Sequence, residues 1–397
     1  MAEPRVRFKR DDGSNYPAWT EYELDEILTE RNEPHLITED APQLSFTIEQ
    51  GVIYPENKKT NKRDFLMKDR DNKKFLLTEY NDIIYNPANL KFGAIHRNAL
   101  GRGVVSPIYA IFYTDQHPEF IEGIVTNPAF IKRSLKYLEG TVVKLMTLKP
   151  RDFVKMRVWI PCLEEQKKVA DFLNVINEII DTSETEVKNL ELQKKAVVNS
   201  LFSQEVRFTK EGGFAFPKWE AHCFEDLALL RKEKYDPKTA VRHHCIELEH
   251  INQGTGSING YTFSDEQNSI KNVFYKGDVL FGKLRPYLRK YYLADFDGVC
   301  SSEIWVLKAK DVLLPSYLYY LVGTDKFIAM TNVTSGTKMP RADWSLLSVS
   351  EFDVPCIEEQ RLISEFLSDF DVVVAAAKHE LELWKKLKKG LLQQMFV

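Results

Sequence analysis

Two stretches of the chain crowd basic side chains among aromatic and polar ones, a mixture suited to gripping nucleic acid. In the first half, Lys58, Lys59, Lys62 and Arg63 cluster with Lys73 and Lys74, and Lys91, His96, Arg97 and Arg102 follow. In the second half, Lys283-Leu-Arg285-Pro-Tyr287-Leu-Arg289-Lys290 is followed by Lys338, Pro340 and Arg341. Arginine can bond a guanine edge through two parallel hydrogen bonds, whereas lysine chiefly neutralises phosphate. Any one such run fits a solvated basic surface equally well. Their recurrence in both halves points the set, rather than any single residue, to DNA.

Catalytic chemistry finds no such support. Gly254-Thr-Gly256-Ser-Ile-Asn-Gly260 misses the dinucleotide fingerprint by one residue and no amphipathic helix follows, so it reads as a turn. No GxxxxGK[ST] phosphate loop occurs. Asn86-Pro87-Ala88 and Asn127-Pro128-Ala129 lack the second proline of the Asn-Pro-Pro-Tyr tetrad that holds a flipped adenine in amino-methyltransferases. The expectation is a chain with no catalytic residue.

Composition sets the frame. The 397 residues suffice for two or more domains, each with its own core, and a 44% hydrophobic content is that of a soluble globular protein. The N-terminal stretch is charged and lacks the apolar run of a secretory signal, and no apolar run is long enough to span a bilayer. Five cysteines without CxxC spacing argue for reduced thiols in a cytosolic chain. The net charge of −4 counts against a surface that grips nucleic acid everywhere. It leaves room for local basic clusters.

The elements that must position these residues are repeated. Ile160-Pro-Cys-Leu-Glu-Glu-Gln-Lys-Lys-Val-Ala-Asp-Phe-Leu173 matches Val354-Pro-Cys-Ile-Glu-Glu-Gln-Arg-Leu-Ile-Ser-Glu-Phe-Leu367, 194 residues on, and the register continues ungapped to Phe202 over Phe396. Val6-Arg7-Phe8 with Gly13, Tyr16-Pro17 and Trp19 recurs as Val206-Arg207-Phe208 with Gly213, Phe216-Pro217 and Trp219, at an offset of 200. Between these lie ordered echoes, among them Asp82-Ile-Ile-Tyr85 with Asp278-Val-Leu-Phe281. The chain is a tandem duplication. Because Phe202 is followed by Ser203-Gln204-Glu205 and then the second Val-Arg-Phe, Phe396 and the first Val-Arg-Phe are expected to be the halves of one such joint, close in space in a nearly circular, pseudo-twofold molecule. The repeat also weighs against a metal site at Arg242-His243-His244-Cys245 with His250: Gln50 answers His250, and the others have no liganding counterpart. Cys162 and Cys356 do repeat, but each beside a proline and an apolar residue, as small buried thiols.

Each copy closes in a long amphipathic helix. Pro161 and Pro355 are expected in its first turn, with the following acids facing the positive end of the helix dipole. Leu173, Ile176, Ile180, Ser183, Val187, Leu190, Lys194, Val197 and Leu201 then step by three and four, as do Leu367, Phe370, Val374, Ala377, Leu381, Trp384, Lys388, Leu391 and Met395. This is a coiled-coil seam. Matched seams of equal length favour pairing of the two helices with each other over packing of each on its own module, and a twofold requires that pairing to be antiparallel. At about 1.5 Å per residue such a helix spans on the order of 58 Å.

Residues 1–155 and 204–350 show short β-branched and aromatic runs (Leu44 to Ile48, Ile83 to Tyr85, Val104 to Tyr113, Val279 to Phe281, Ile304 to Leu307) separated by Gly, Asn and Asp, with helices around Asn127 to Leu138 and Pro315 to Met330. The expected fold is α+β. Two modules of mixed α/β structure, 1–155 and 204–350, alternate with helical regions 156–203 (helix from about 162) and 351–397 (helix from about 356).

Pro-x-x-Glu-Glu-Gln-[Lys/Arg]-x-[Val/Ile]-x-x-Phe-Leu opening a long helix, twice and each time closing a variable module, resembles the specificity subunit of type I restriction-modification systems. The Lys388-Lys-Gly-Leu-Leu-Gln-Gln-Met-Phe396 ending is similar to that family too, and Gln193 to Phe202 matches it more loosely, with Ala196 in place of Gly390. The resemblance covers the whole chain. It implies a non-catalytic, sequence-specific DNA-binding subunit with two target-recognition domains, each reading half of a bipartite asymmetric site, and helices that set the gap and dock two methyltransferase subunits. It further implies motor-nuclease subunits, no membrane, a cytoplasmic place at the nucleoid of a bacterium or archaeon, and no cofactor in this chain, with S-adenosylmethionine, ATP and Mg on the partner subunits. The complex would methylate adenine N6 and cut DNA at the expense of ATP, as defence against foreign DNA. A coiled-coil protein-interaction scaffold or a stand-alone DNA binder remains the competing reading.

Overall fold

The computed structural model describes residues 4–57, 74–138, 147–238, 241–332 and 339–396. It divides into two compact units, one of residues 1–184 with 380–397 and one of residues 185–379. Each unit therefore holds one module, part of the first long helix (Leu163–Phe202) and part of the second (Ile357–Met395).

In the first unit the module is closed by its own ends. Strand Thr20–Glu23, just after the opening Val-Arg-Phe, pairs antiparallel with Arg157–Ile160, just before the long helix. Beside it lies a four-stranded antiparallel sheet in the order Thr29–Glu30, Ala110–Tyr113, Ile83–Tyr85, Ile95–Arg97. The Val104 to Tyr113 run, expected as one strand, is two in different sheets: Gly103–Val105 pairs with Phe75–Thr78, and a turn at Ser106 to Tyr109 redirects the chain. Pro118–Val125 and Pro128–Ser134 are short helices, each opened by a proline whose missing N–H costs nothing there.

The second unit repeats the plan. Glu220–Cys223 pairs with Glu351–Val354, and its four-stranded sheet runs Ala228–Leu230, Ile304–Ala309, Val279–Gly282, Tyr291–Leu293. Its second sheet is larger, five strands including the parallel pair His244–Ile246 with Gly298–Cys300. The helix expected from Pro315 to Met330 is broken into Pro315–Leu321 and Asp325–Thr331. Thr324 caps the second piece, its side-chain oxygen accepting from Phe327 N at 3.2 Å. At the break, a Cβ on Gly323 would stand 2.7 Å from the Tyr291 hydroxyl, so the aromatic packing requires glycine.

Both long helices begin one or two residues later than a proline-first start would place them. Leu163 and Ile357 open them, Cys162 and Cys356 are the caps, and Pro161 and Pro355 lie outside. The Cys162 carbonyl accepts from the backbone N–H groups of Glu165 and Gln166, both at 3.0 Å, and that of Cys356 from Gln360 at 3.0 Å. The two thiols are half-buried rather than buried. The prolines serve through their carbonyls: Gln166 Nε2 donates to Pro161 O at 2.8 Å and Gln360 Nε2 to Pro355 O at 2.9 Å.

The helices run antiparallel. In the first unit Val169 and Leu173, near the start of one, share a core with Met395 and Phe396 at the end of the other. In the second unit Leu201, near the end of the first helix, joins Ile363 and Leu367 near the start of the second. Phe396 packs so tightly on the first module that a Cβ on Gly123 would come within 2.6 Å of its ring. Its counterpart Phe202 lies 5.0 Å from Tyr317 between ring centroids. The joint repeats as well: Val206 N donates to Ser200 O at 3.2 Å, and Val6 N donates to Gln394 O at 3.1 Å.

Candidate DNA-recognition surface

The strand-to-strand loop after Asp82 and after Asp278 is built alike in both modules. Each aspartate is buried and pairs with an arginine on the neighbouring edge segment: Arg31 Nε to Asp82 at 2.8 Å, Arg231 Nε to Asp278 at 2.6 Å. Burial pushes the Asp82 carboxyl up against the opposing pull of the Glu79 N–H and Arg31. Shortly past each of the strands Ile83–Tyr85 and Val279–Gly282, after four and three intervening residues, the chain makes a short 3-10 turn, Leu90–Phe92 in one module and Pro286–Leu288 in the other, 196 residues apart. The base of each loop is tied to a distant segment by one equivalent bond, Leu148 N to Pro87 O at 2.9 Å and Ala342 N to Lys283 O at 2.8 Å.

That tie brings together two basic stretches far apart in sequence. Arg285 N donates to Pro340 O at 2.8 Å and Leu284 bridges Arg341, so Lys283, Arg285, Tyr287 and Arg341 belong to one loop pair. Arg285 and Tyr287 are exposed, while Lys283 is half-buried. Arg285 and Arg289 flank the turn in left-handed conformation, with φ of 53° and 50°. Such backbone costs an L-residue on the order of 1 kcal/mol, and module one relieves it at the second position with Gly93, whose φ is 85°. Arg289 is committed inward, its guanidinium bonding the Gly323 carbonyl at 3.1 Å and pairing with Asp325, which it holds below the usual carboxylate range. Lys290 reaches the Leu248 carbonyl at 2.6 Å, and burial lowers its pKa. Arg341 pairs with Glu303 at 3.0 Å.

In module one, Lys91 stands where module two has Tyr287, on the 3-10 turn, with its ammonium 5.4 Å from the centre of the Phe92 ring. Phe92 itself is 64% exposed. It escaped the sequence reading because it is a lone aromatic beside one lysine, but the 196-residue register anchored on Asp82 and Asp278 would have singled it out. His96 and Arg97 lie on the strand Ile95–Arg97 and turn to the protein: His96 Nε2 is 2.8 Å from Ile48 O, and Arg97 bonds Glu122 at 3.1 Å, Glu119 at 3.2 Å and Asn81 Oδ1 at 2.7 Å. Arg102 pairs with Glu79 and, at 3.3 Å, with Asp40. Lys58, Lys59, Lys62, Arg63 and Lys338 lie outside the described residues.

The histidine group of module two is spent on packing and capping. His244 lies 4.2 Å from Tyr261 between ring centroids and also contacts Phe263 and Phe296, while His250 Nδ1 accepts from Glu247 N at 3.0 Å. Burial raises the Cys245 thiol to about 12. The glycine-rich segment is a turn, with Gly254 and Gly256 at φ of 70° and 68°.

On the long helices the seam positions face inward in both units. Leu173, Ile176, Ile180, Leu201, Leu367, Val374, Leu381 and Met395 are buried, and Val187, Leu190, Val197, Phe370, Trp384 and Leu391 are half-buried. No helix among the described residues is long and apolar enough to cross a membrane.

The Glu-Glu-Gln motif turns out to fasten each module to its helix. Arg7 bonds fully buried Glu165 at 2.7 and 3.1 Å, and Arg207 bonds fully buried Glu359 at the same distances. Gln166 and Gln360 accept from the backbone just before the helices Pro118–Val125 and Pro315–Leu321, at His117 N (3.0 Å) and Leu314 N (2.8 Å).

Comparison with known proteins agrees with this architecture. The family model of the type I restriction modification DNA specificity domain matches residues 218–383. The type I restriction enzyme EcoDI specificity subunit of Escherichia coli is 22% identical over 329 residues, covering 72% of this chain and 74% of that relative. The MjaVIII specificity subunit of Methanocaldococcus jannaschii is 23% identical over 262 residues, covering 60% and 61%. In fold, the chain is similar to the S subunit of a type I restriction-modification system from M. genitalium (TM-score 0.54, 14% identity, 100% of this chain and 99% of that one). It is also similar to a chain from a structure concerned with assembly and conformational transition of a type I system (TM-score 0.58, 16% identity, 96% and 97%). The second module and most of its helix match the type I restriction modification DNA specificity domain, the first module repeats their plan, and over the whole chain the fold is similar to that of type I specificity subunits.

Proposed function

We propose that the two modules each read one half of a bipartite, asymmetric DNA site, and that the pair of long helices sets the distance between the halves and docks two methyltransferase subunits. The observation that carries this reading is the repeated loop. The same 3-10 turn, tied at its base by the same hydrogen bond, presents Lys91 and Phe92 in one module and Arg285 and Tyr287 in the other. One scaffold with two sets of contact chemistry is what two different half-sites require. Exposed Arg285 and Tyr287 and half-buried Lys91 are assigned to DNA contact, whereas Arg97, Arg289 and Lys290 hold loops in shape through bonds to other segments. S-adenosylmethionine, ATP and Mg are assigned to the methyltransferase and motor-nuclease partners, this chain being non-catalytic and cytoplasmic.

The test is reconstitution with the cognate methyltransferase subunits, followed by mapping of methylated adenines. Two unlike half-sites at one fixed gap are expected; methylation of all adenines alike overturns the reading. Adding a helical turn before Val187 together with a matching turn in the second helix should lengthen the gap and leave the half-sites unchanged. A gel shift without methyltransferase separates a stand-alone DNA binder, which would bind tightly unaided, from a protein scaffold, which would show no sequence preference in either condition.

A further inference from the structure

The faces that the long helices turn to each other carry ion pairs with a fixed polarity along each helix. In the first unit Glu184 of the first helix meets Lys385 of the second at 2.9 Å. In the second unit Glu191 of the first helix meets Lys378 of the second at 2.6 Å. Under the 194-residue repeat Glu184 corresponds to Lys378, and Glu191 to Lys385. Two helices of common descent thus carry acid at both positions in one copy and base at both in the other. A third pair joins Lys194 to Asp371, whose other oxygen accepts from the Tyr320 hydroxyl at 2.8 Å. The counterparts of those two residues are Lys388 and Asn177, which hold no opposite charges.

Duplication creates a problem of partner choice. The apolar seam is shared by both helices, so apolar contact alone does not distinguish the second helix from another copy of the first. Paired antiparallel in the same register, two first helices would set Glu184 against Glu191 twice and leave Lys194 facing Asn177. Two second helices would set Lys378 against Lys385 twice, offset only by Asp371 facing Lys388. The mixed pair alone gathers all three attractions without a like-charge contact. We propose that these residues form a charge code that makes the first helix complementary to the second and rejects the same helix of a second copy, so that the chain closes on itself. Glu184, Glu191, Lys378 and Lys385 are each more than a third exposed, so any one pair is weak and screened by salt; discrimination comes from the sum and from the repulsions in the wrong pairings.

The full-length variant E184K/K378E tests this without changing net charge. The exchange places like charges at both intramolecular contacts and makes each helix complementary to its own copy. Adding E191K and K385E restores opposite charges at both contacts with the polarity reversed. The two-site variant is expected to melt roughly 3–8 °C below wild type and to form a concentration-dependent dimer by light scattering. Both effects should shrink in high salt, and the four-site variant should return close to wild type. An unchanged melting temperature and mass in the two-site variant overturns the proposal, as does a four-site variant that melts no higher. Early melting without dimer at any concentration overturns the rejection of a second copy. Should the two-site variant fail to fold, recovery of the four-site variant separates a charge code from damage to the fold.

Discussion

Arg7 reaches across 158 residues of chain to Glu165 and holds its fully buried carboxylate with two nitrogens, at 2.7 and 3.1 Å. Arg207 does the same for Glu359. Removing the arginine leaves a desolvated charge without its main partner. A fully buried pair broken this way costs about 3–5 kcal/mol, and partial exposure of both guanidinium groups reduces that to about 2–3 kcal/mol. Arg7→Ala should therefore lower the melting temperature by roughly 5–10 °C in calorimetry. Arg207→Ala should do less harm, because Trp219 Nε1 also donates to Glu359, at 3.1 Å, while Trp19 Nε1 has no hydrogen-bond partner.

The bond from Val6 N to Gln394 O reproduces the one from Val206 N to Ser200 O, although only the second pair is joined by a short run of chain. A circular permutant that links Phe396 to Val6 through Ser-Gln-Glu and opens the chain between Phe202 and Val206 should keep the fold. Its circular dichroism and melting temperature should stay within a few degrees of the parent. Loss of cooperative unfolding would show that the two joints are not equivalent.

Much of this was legible because duplication lets the chain be compared with itself. The long helices, their seam and the pairing of their ends follow from an ungapped register in which each apolar step is repeated. The role of Glu165 was not legible, since an acid in a first helical turn already satisfies the helix dipole and its arginine lies 158 residues away. Likewise Arg97 and Arg285 look alike as basic residues between strands, and only the positions of Glu119, Glu122 and Asn81 show that one is tied inward. The break at Gly323 was hidden by apolar residues that continue the helical period on both sides, whereas its cause, the Tyr291 ring, comes from another element.

Gly256 sits at φ of 68°, and a Cβ there would fall 2.1 Å from the Tyr319 hydroxyl oxygen, which donates to the Gly256 carbonyl at 3.2 Å. Gly256→Ala adds both backbone strain and a clash that displaces the tyrosine. A loss of about 1–3 kcal/mol is expected in denaturant unfolding. Tyr319→Phe in the same background should recover part of it, and no recovery would place the damage in the backbone alone.

Arg289 bonds Asp325 and holds its carboxyl below the usual carboxylate range, with desolvation acting in the opposite sense. A folded-state pKa below the unfolded value adds stability that is complete above about pH 4 and is lost as pH falls through the lower folded value. The melting-temperature gap between wild type and Arg289→Ala should accordingly be widest at neutral pH and narrow on acidification below about pH 4. A gap that is constant with pH would assign the arginine's contribution to its bond with the Gly323 carbonyl and not to the ion pair.

Arg97 and Arg285 offer the sharpest separation of scaffold from recognition. Arg97 is 11% exposed and spends its nitrogens on Glu119, Glu122 and Asn81, so Arg97→Ala should lower the melting temperature and weaken DNA binding only as far as the fold loosens. Arg285 is exposed at the tip of the loop pair, and an alanine there keeps a Cβ and so the same left-handed backbone cost. Arg285→Ala should leave the melting temperature nearly unchanged while costing about 1–3 kcal/mol in binding to the cognate site, measured in the reconstituted complex at fixed salt. If the loss is confined to one half-site, Arg285 reads a base. An equal loss on every sequence, with a shallower salt dependence, makes it a phosphate contact.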